Sequence, residues 1–336
     1  MIEHAPYLRK PNSVTQVMFT VLLALVPAIA VYIWQFGIGV LVSLCITSLT
    51  ALIAEALVLK ARHRPIAPHL MDGSALVTAW LVTLSIPPIL PWWTSVLAAL
   101  IAIVIAKHLY GGLGQNPFNP AMVAFAALIV AYPSLMSQWP NPNLSAAEQI
   151  QLIFGAERSV DAITAATPID AMRTGLKTGH QTLEQIKQGP AFGFVGGRGW
   201  EWIALAYLLG GLILKARAII TLHAPIAFLT ALAAIASLCW VINPEHFATP
   251  LFHLASGGTL LAAAFIVTDP VSGATTPRGK ILFGIGTGLL AYIIRVFGAS
   301  FPDGIAFAVL IMNTLAPLLD MKTQPKVFGH KHTPSP

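Results

Sequence analysis

The run VMFTVLLALVPAIAVYIWQFGIGVLVSLCITSLTALIAEALVL, residues 17–59, decides the fold class. Glu55 is its only charged residue. A membrane-spanning helix needs about 20 mostly apolar residues, so the run predicts two spans, Val17–Gln35 and Ile38–Leu59. Spans three to five are expected at Leu70–Pro87, Trp92–Lys107 and Pro120–Tyr132. Spans six to ten are expected at Trp200–Leu214, Ala218–Val241, Phe252–Val267, Ile281–Phe297 and Gly304–Leu319. Composition agrees: 56% of residues are hydrophobic and only 10% charged, against roughly 25% charged in a soluble domain. The expectation is an all-α polytopic membrane protein of about ten transmembrane helices, with a first membrane half over 1–132 and a second over 200–336. Between them, 133–199 is polar and loop-like.

A net charge of +6 would suggest nucleic acid in a soluble protein. Here the basic residues cluster in loops between apolar spans, so topology accounts for them and no nucleic-acid partner is expected. With a cytoplasmic N-terminus, the inner segments collect Arg9, Lys10, Lys60, Arg62, Arg64, Lys107, Lys215, Arg217, Arg278, Lys280, Lys322, Lys326 and Lys331. The short outer loops, including Ala299–Pro302, carry no Lys or Arg. Both termini are therefore expected inside and the 133–199 interval outside the cytoplasm. The polar lead MIEHAPYLRKPNSVTQ lacks a cleavage site for a signal peptide. Cys45 and Cys239 lie in apolar segments and form no ligand cluster, so iron–sulfur and zinc sites are not expected within this chain.

The sequence P-x-x-x-A-F-A-x-L-I occurs at Pro120–Ile129 and again at Pro302–Ile311, in the fifth and tenth spans. Five spans per half would make two inverted repeats, an arrangement common in transport folds. A solute channel or transporter without a redox cofactor fits hydropathy and repeat equally well. Glu55 is one turn from the basic loop, so a salt bridge to Lys60, Arg62 or Arg64 is expected. Asp303 and Asp320 are expected at solvated span ends.

Within the polar interval, DAITAATPIDAMRTG (Asp161–Gly175) holds the clearest local signal. Thr167 reads as a helix N-cap, Pro168 as the first helical residue and Asp170 as the acidic partner three positions on. A helix mouth has free N–H groups and a positive dipole end, so it tolerates a phosphate. On spacing alone, Thr167 reads as a cap and nothing more. Asn119-Pro120 similarly caps the fifth span, after the glycine-rich turn that contains Gly114 and Asn116.

LYGGLGQNPFNPAM (109–122), Thr164-Ala165-Ala166-Thr167, TDPVSGATTPRGK (268–280) and FPDGIAFAVLIMN (301–313) together resemble the RnfD/NqrB family. Its members are RnfD of the Rnf (Rsx) electron-transport complex and the related NqrB of the sodium-pumping NADH:quinone oxidoreductase. The resemblance runs from the ARHRP loop to the closing VFGHKH. It implies an ion-translocating oxidoreductase complex of the bacterial inner membrane, working between ferredoxin and NAD. It also implies FMN joined through its phosphate to a threonine in an [Ser/Thr]-x-Ala-Thr motif by a separate flavin transferase. The implied partners are the other membrane and soluble subunits, one carrying a second covalent FMN. Thr164-x-Ala166-Thr167 fits the motif, and Ser272-Gly273-Ala274-Thr275 fits its letters better. Attachment in the family is extracytoplasmic, and only Thr167 is expected there. The FMN set is thus Thr167, with Thr164, Ala166, Pro168 and Asp170 around it. The resemblance implies a second, non-covalent flavin (riboflavin) as well; Gly114, Asn116, Asn119 and Asp269 are candidates for it or for a contact with another subunit.

Overall fold

A computed structural model describes residues 13–141, 144–155, 164–177, 182–189, 191–298 and 303–325. Arg9, Lys10, Lys326, Lys331, the closing VFGHKH, the outer loop 299–302 with the Pro302 end of the repeated motif, and Asp161–Ile163 all lie outside the described residues. The chain is helical. The first half comprises α1 (Val14–Phe36), α2 (Gly39–Ala61), α3 (Ile66–Leu70), α4 (Ser74–Ser85), α5 (Trp92–Leu100, continued in π-helical turns to His108) and α6 (Pro120–Ala131). The interval that follows holds α7 (Pro133–Met136), β1 (Trp139–Pro140), α8 (Ala146–Phe154), β2 (Thr164–Ala165), α9 (Pro168–Lys177) and α10 (Leu183–Lys187). The second half comprises α11 (Trp200–Ala216), α12 (His223–Ile242), α13 (Pro250–Ala255), α14 (Thr259–Leu261, continued in π-helical turns to Ile266), α15 (Pro277–Phe297) and α16 (Ile305–Thr323).

Helices α1, α2, α12, α15 and α16 are each long and apolar enough to cross a membrane, and the stretches Trp92–His108 and Pro120–Ala131 are shorter apolar helices. Their outer faces keep large apolar side chains such as Leu23, Leu49, Leu57 and Leu238 exposed, as lipid contact requires. The core is built where α1, α4, α6, α11, α14 and α16 meet, around Leu25, Tyr32, Val82, Met122, Tyr207, Phe265 and Val309. Small residues let helices close on one another. A Cβ at Gly284 or Gly288 of α15 would come within 2.5 Å of the Ala224 or Phe228 carbonyl oxygen of α12, the close backbone approach that a small-xxx-small pattern permits.

Five expectations change. The eighth span is not one helix: it breaks over Ser256–Gly258 into α13 and α14. Gly257 sits at φ +64, and the Gly258 N–H donates to the Asp303 carboxylate at 2.8 Å. Asp303 is therefore a structural acceptor and not simply a solvated end group. The third span likewise starts only at Ser74, after the short α3 and a left-handed Gly73. Glu55 does not pair with the basic loop. It receives the buried Lys107 ammonium at 2.7 and 2.8 Å, while Arg62 and Arg64 donate to the His108 and Gly111 carbonyls. The loop was too near in sequence to reach Glu55's buried face, and Lys107 arrives there from α5. The 133–199 interval is also more than a loop, because β1 pairs antiparallel with β2, Trp139 opposite Ala165 and Pro140 opposite Thr164.

Candidate functional site

The β1–β2 ladder delivers the chain directly into α9. Thr167 is half-buried at the junction, its Oγ1 accepting the Asp170 N–H at 3.2 Å and its carbonyl accepting the Ala171 N–H at 2.8 Å. This is the cap geometry the Thr-Pro step predicts, because proline fixes the first helical φ and keeps the preceding residue extended. Pro168 is buried and Ala166 exposed. Asp170 is half-buried; burial raises its carboxyl above the ordinary range, and Arg173 only partly offsets that. Thr164 contributes its backbone to β2.

Thr167 borders two cavities. The larger, about 1080 Å³, opens between α9, the ladder and the chain leading into α11. Its walls include Trp34, Trp139, Trp200, Trp202, Phe192 and Arg198. Trp139 and Trp200 meet edge-on at 4.8 Å, and Phe36 touches both rings at 5.8 and 5.5 Å. The segment before α11 is held by Glu201, whose Oε1 accepts the Val195 and Gly196 N–H groups at 2.6 and 2.7 Å. Gly197 then lies against the Pro168 ring, where a Cβ would not fit. The smaller cavity, about 80 Å³, runs inward between Tyr32, Met122, Ile266 and Ile305 with Asp303 at its edge.

A volume near the top of the range for cofactor sites, aromatic walls suited to a flat heteroaromatic ring, and a helix N-terminus beside Arg198 for a phosphate together fit a flavin phosphate attached at Thr167. The rival threonine stands differently. Thr275 donates its hydroxyl to Asp320 at 2.8 Å and its N–H to both oxygens of that carboxylate at 2.9 Å. Thr276, not Thr275, caps α15. A phosphoester on Thr275 would face a carboxylate, and like charges repel.

The other predicted set is divided. Asn116, Asn119 and Asp269 line one cavity of about 140 Å³, together with Lys107 and Ser74; Gly114 is not among its lining. Asn119 caps α6 through the Ala121 and Met122 N–H groups and donates Nδ2 to Asp269 at 3.3 Å. Asp269 also accepts from the Val271 N–H and the Ser272 hydroxyl. Asn313 joins this network by accepting the Asn119 N–H at 3.1 Å and donating to the Ser272 carbonyl at 2.9 Å. Sequence reasoning missed Trp139, Trp200 and Arg198 at the Thr167 site, since tryptophans near span ends read as an ordinary interfacial belt. It missed Asn313 as well, which gives no signal inside an apolar helix beyond being polar there.

The sequence model of the NQR2, RnfD, RnfE family matches residues 1–329. The D subunit of the ion-translocating oxidoreductase complex of Escherichia coli (strain SE11) is 45% identical over 348 aligned residues, covering 98% of each chain. The proteins of the same description from Shigella dysenteriae serotype 1 (strain Sd197) and Escherichia fergusonii show the same identity and coverage.

Proposed function

This chain belongs to the NQR2, RnfD, RnfE family, and we propose that it is the subunit of an ion-translocating oxidoreductase complex that carries FMN esterified to Thr167. The activity belongs to the complex, whose other membrane and soluble subunits include a second covalent-FMN carrier, and a flavin transferase acts during maturation. The complex works in the bacterial inner membrane between ferredoxin and NAD. The observation that carries the flavin assignment is the Thr167 hydroxyl at the mouth of α9, bordering a cavity with tryptophan walls and Arg198.

An isoalloxazine bound there supplies one- and two-electron chemistry. The residues of this chain bind and orient it. The α9 N-terminus and Arg198 offset phosphate charge, Trp139 and Trp200 wall the ring space, and the apolar inner pocket excludes water beneath it. Asn116, Asn119 and Asp269, the residues assigned to the second, non-covalent flavin, line a cavity of about 140 Å³, with Asn313 holding Asn119 in place.

The topology is ten spans with both termini inside and α9 outside. Two parallels support an inverted repeat. A short helix, a positive-φ glycine and a second helix occur at α3–Gly73–α4 and again at α13–Gly257–α14. A buried cation then donates to the hydroxyl that starts each second helix: Lys107 to Ser74 at 2.8 Å, Arg295 to Thr259 at 2.9 Å.

The test is flavin fluorescence of the chain on a denaturing gel after expression with its transferase. Fluorescence is expected in the parent and in Thr275→Ala, and absent in Thr167→Ala. Fluorescence surviving in Thr167→Ala, or absent from the parent, overturns the assignment.

A further inference from the structure

On the opposite side of α9 from the large cavity lies a pocket of about 230 Å³ that the flavin site does not use. Its floor is formed by two buried side chains, His253 (4% exposed) and Arg295 (2% exposed). Arg295 donates Nη1 to the His253 carbonyl and Nη2 to Thr259 and Asp303, all at 2.9 Å. Among the described residues, its Nε has no hydrogen-bond partner and neither ring nitrogen of His253 has one. Buried N–H groups are nearly always satisfied, so such a cluster calls for an acceptor from elsewhere.

The rest of the pocket narrows the choice. Arg173 of α9 and the exposed His246 stand at its rim. The walls are apolar, with Met172, Leu176, Phe247 and Phe297 among them. Phe297 is the last residue of α15, and α12 ends nearby in sequence at Ile242; both helices are long enough to cross a membrane. The pocket mouth therefore sits at the end of a spanning helix, where lipid headgroups meet the hydrocarbon. Cationic groups over an apolar wall at that level suit an anionic amphiphile.

We propose that this pocket binds the phosphate of an anionic phospholipid. The phosphate oxygens accept from Arg295 Nε and a His253 ring N–H, Arg173 offsets the charge, and the first acyl carbons lie on Phe247 and Phe297. Because Ile169, Met172 and Arg173 all face this pocket, the lipid holds α9 against α13 and α15. The site does not depend on flavin at Thr167.

The experiment measures hydrogen-exchange protection of the α9 amides, residues 169–177, in the delipidated full chain in neutral detergent. Dioleoylphosphatidylglycerol is expected to slow their exchange at least tenfold. The slowing should be lost in Arg173→Gln/His246→Gln, whose side chains stand at the rim, and in His253→Phe, and kept in Thr167→Asn, which retains the α9 cap. Equal slowing by dioleoylglycerol, which lacks the phosphate, would overturn the proposal. Equal slowing by inorganic phosphate alone would assign the pocket to a free anion instead of a lipid. Unchanged slowing in the rim variant would also overturn it.

Discussion

The Lys107 ammonium donates to both carboxylate oxygens of Glu55, at 2.7 and 2.8 Å, bridging α5 to α2 with both side chains almost fully buried. Ser74 at the start of α4 accepts a third bond, so three helices converge on one cation. An ion pair this enclosed has given up its hydration, and its partners depend on each other more than the fold depends on the pair.

The first prediction follows from that dependence. Glu55→Gln leaves the buried Lys107 ammonium without its carboxylate, and Lys107→Met leaves Glu55 with only His108 Nε2 at 3.4 Å; each should cost about 3–5 kcal/mol. The double variant Glu55→Leu/Lys107→Met should regain most of that loss. Thermal unfolding in detergent, read as a double-mutant cycle, measures the coupling. Simply additive losses would show that the two groups are independent.

A second prediction separates the cap at Thr167 from its proposed esterification. Asparagine caps a helix as well as threonine does, but it has no hydroxyl to esterify. Thr167→Asn should therefore lose denaturation-resistant flavin fluorescence while hydrogen exchange in the first turn of α9 stays near the parent value. Thr167→Ala should lose both, with the cap worth about 1 kcal/mol. Fluorescence retained in the asparagine variant would place the ester on another residue.

What could be read from the sequence follows the range of the interactions. The Thr167-Pro168 cap is decided within four residues, so spacing alone placed it, and the same holds for Asn119-Pro120. Hydropathy placed the long helices because each buries its own backbone polar groups. Local sequence points Glu55 to the wrong partner because the true one is 52 residues away, on a helix whose rotation no local pattern fixes. The break at Gly257 was hidden for a related reason. Ser256-Gly257-Gly258 sits in an apolar run that reads as continuous, and the break is stabilised by Asp303 from beyond α15. The large cavity draws Trp34, Trp139 and Trp202 from three separate segments, so only the folded chain shows that they share a wall.

A third prediction concerns the α12–α15 contact. Gly284 and Gly288 lie four apart on α15, each facing an α12 carbonyl. Gly288→Val should force the helices apart and cost about 1–3 kcal/mol, as overpacking does. Gly286 is the control on the same helix, because the atoms its Cβ would meet are the mobile end of Met312. Gly286→Ala should change unfolding much less. Equal losses for the two variants would mean that the close approach of the helices is not what the glycines supply.

The last prediction is a pH dependence at α9. Burial raises the Asp170 carboxyl, and the attraction of Arg173 only partly offsets it. An acid whose folded pKa lies above its unfolded value, about 3.9 for aspartate, favours the folded state while it stays protonated. Its contribution is thus fully present below about pH 4 and is lost as pH rises through the raised folded value. Hydrogen-exchange protection of α9, corrected for intrinsic rates, should fall across that window and then level off. Asp170→Asn keeps the shape without the charge, so its protection should stay flat and exceed the parent's at neutral pH. A helix N-terminus on its own would favour the carboxylate, so protection that rises with pH in the parent would show the dipole and Arg173 outweighing burial.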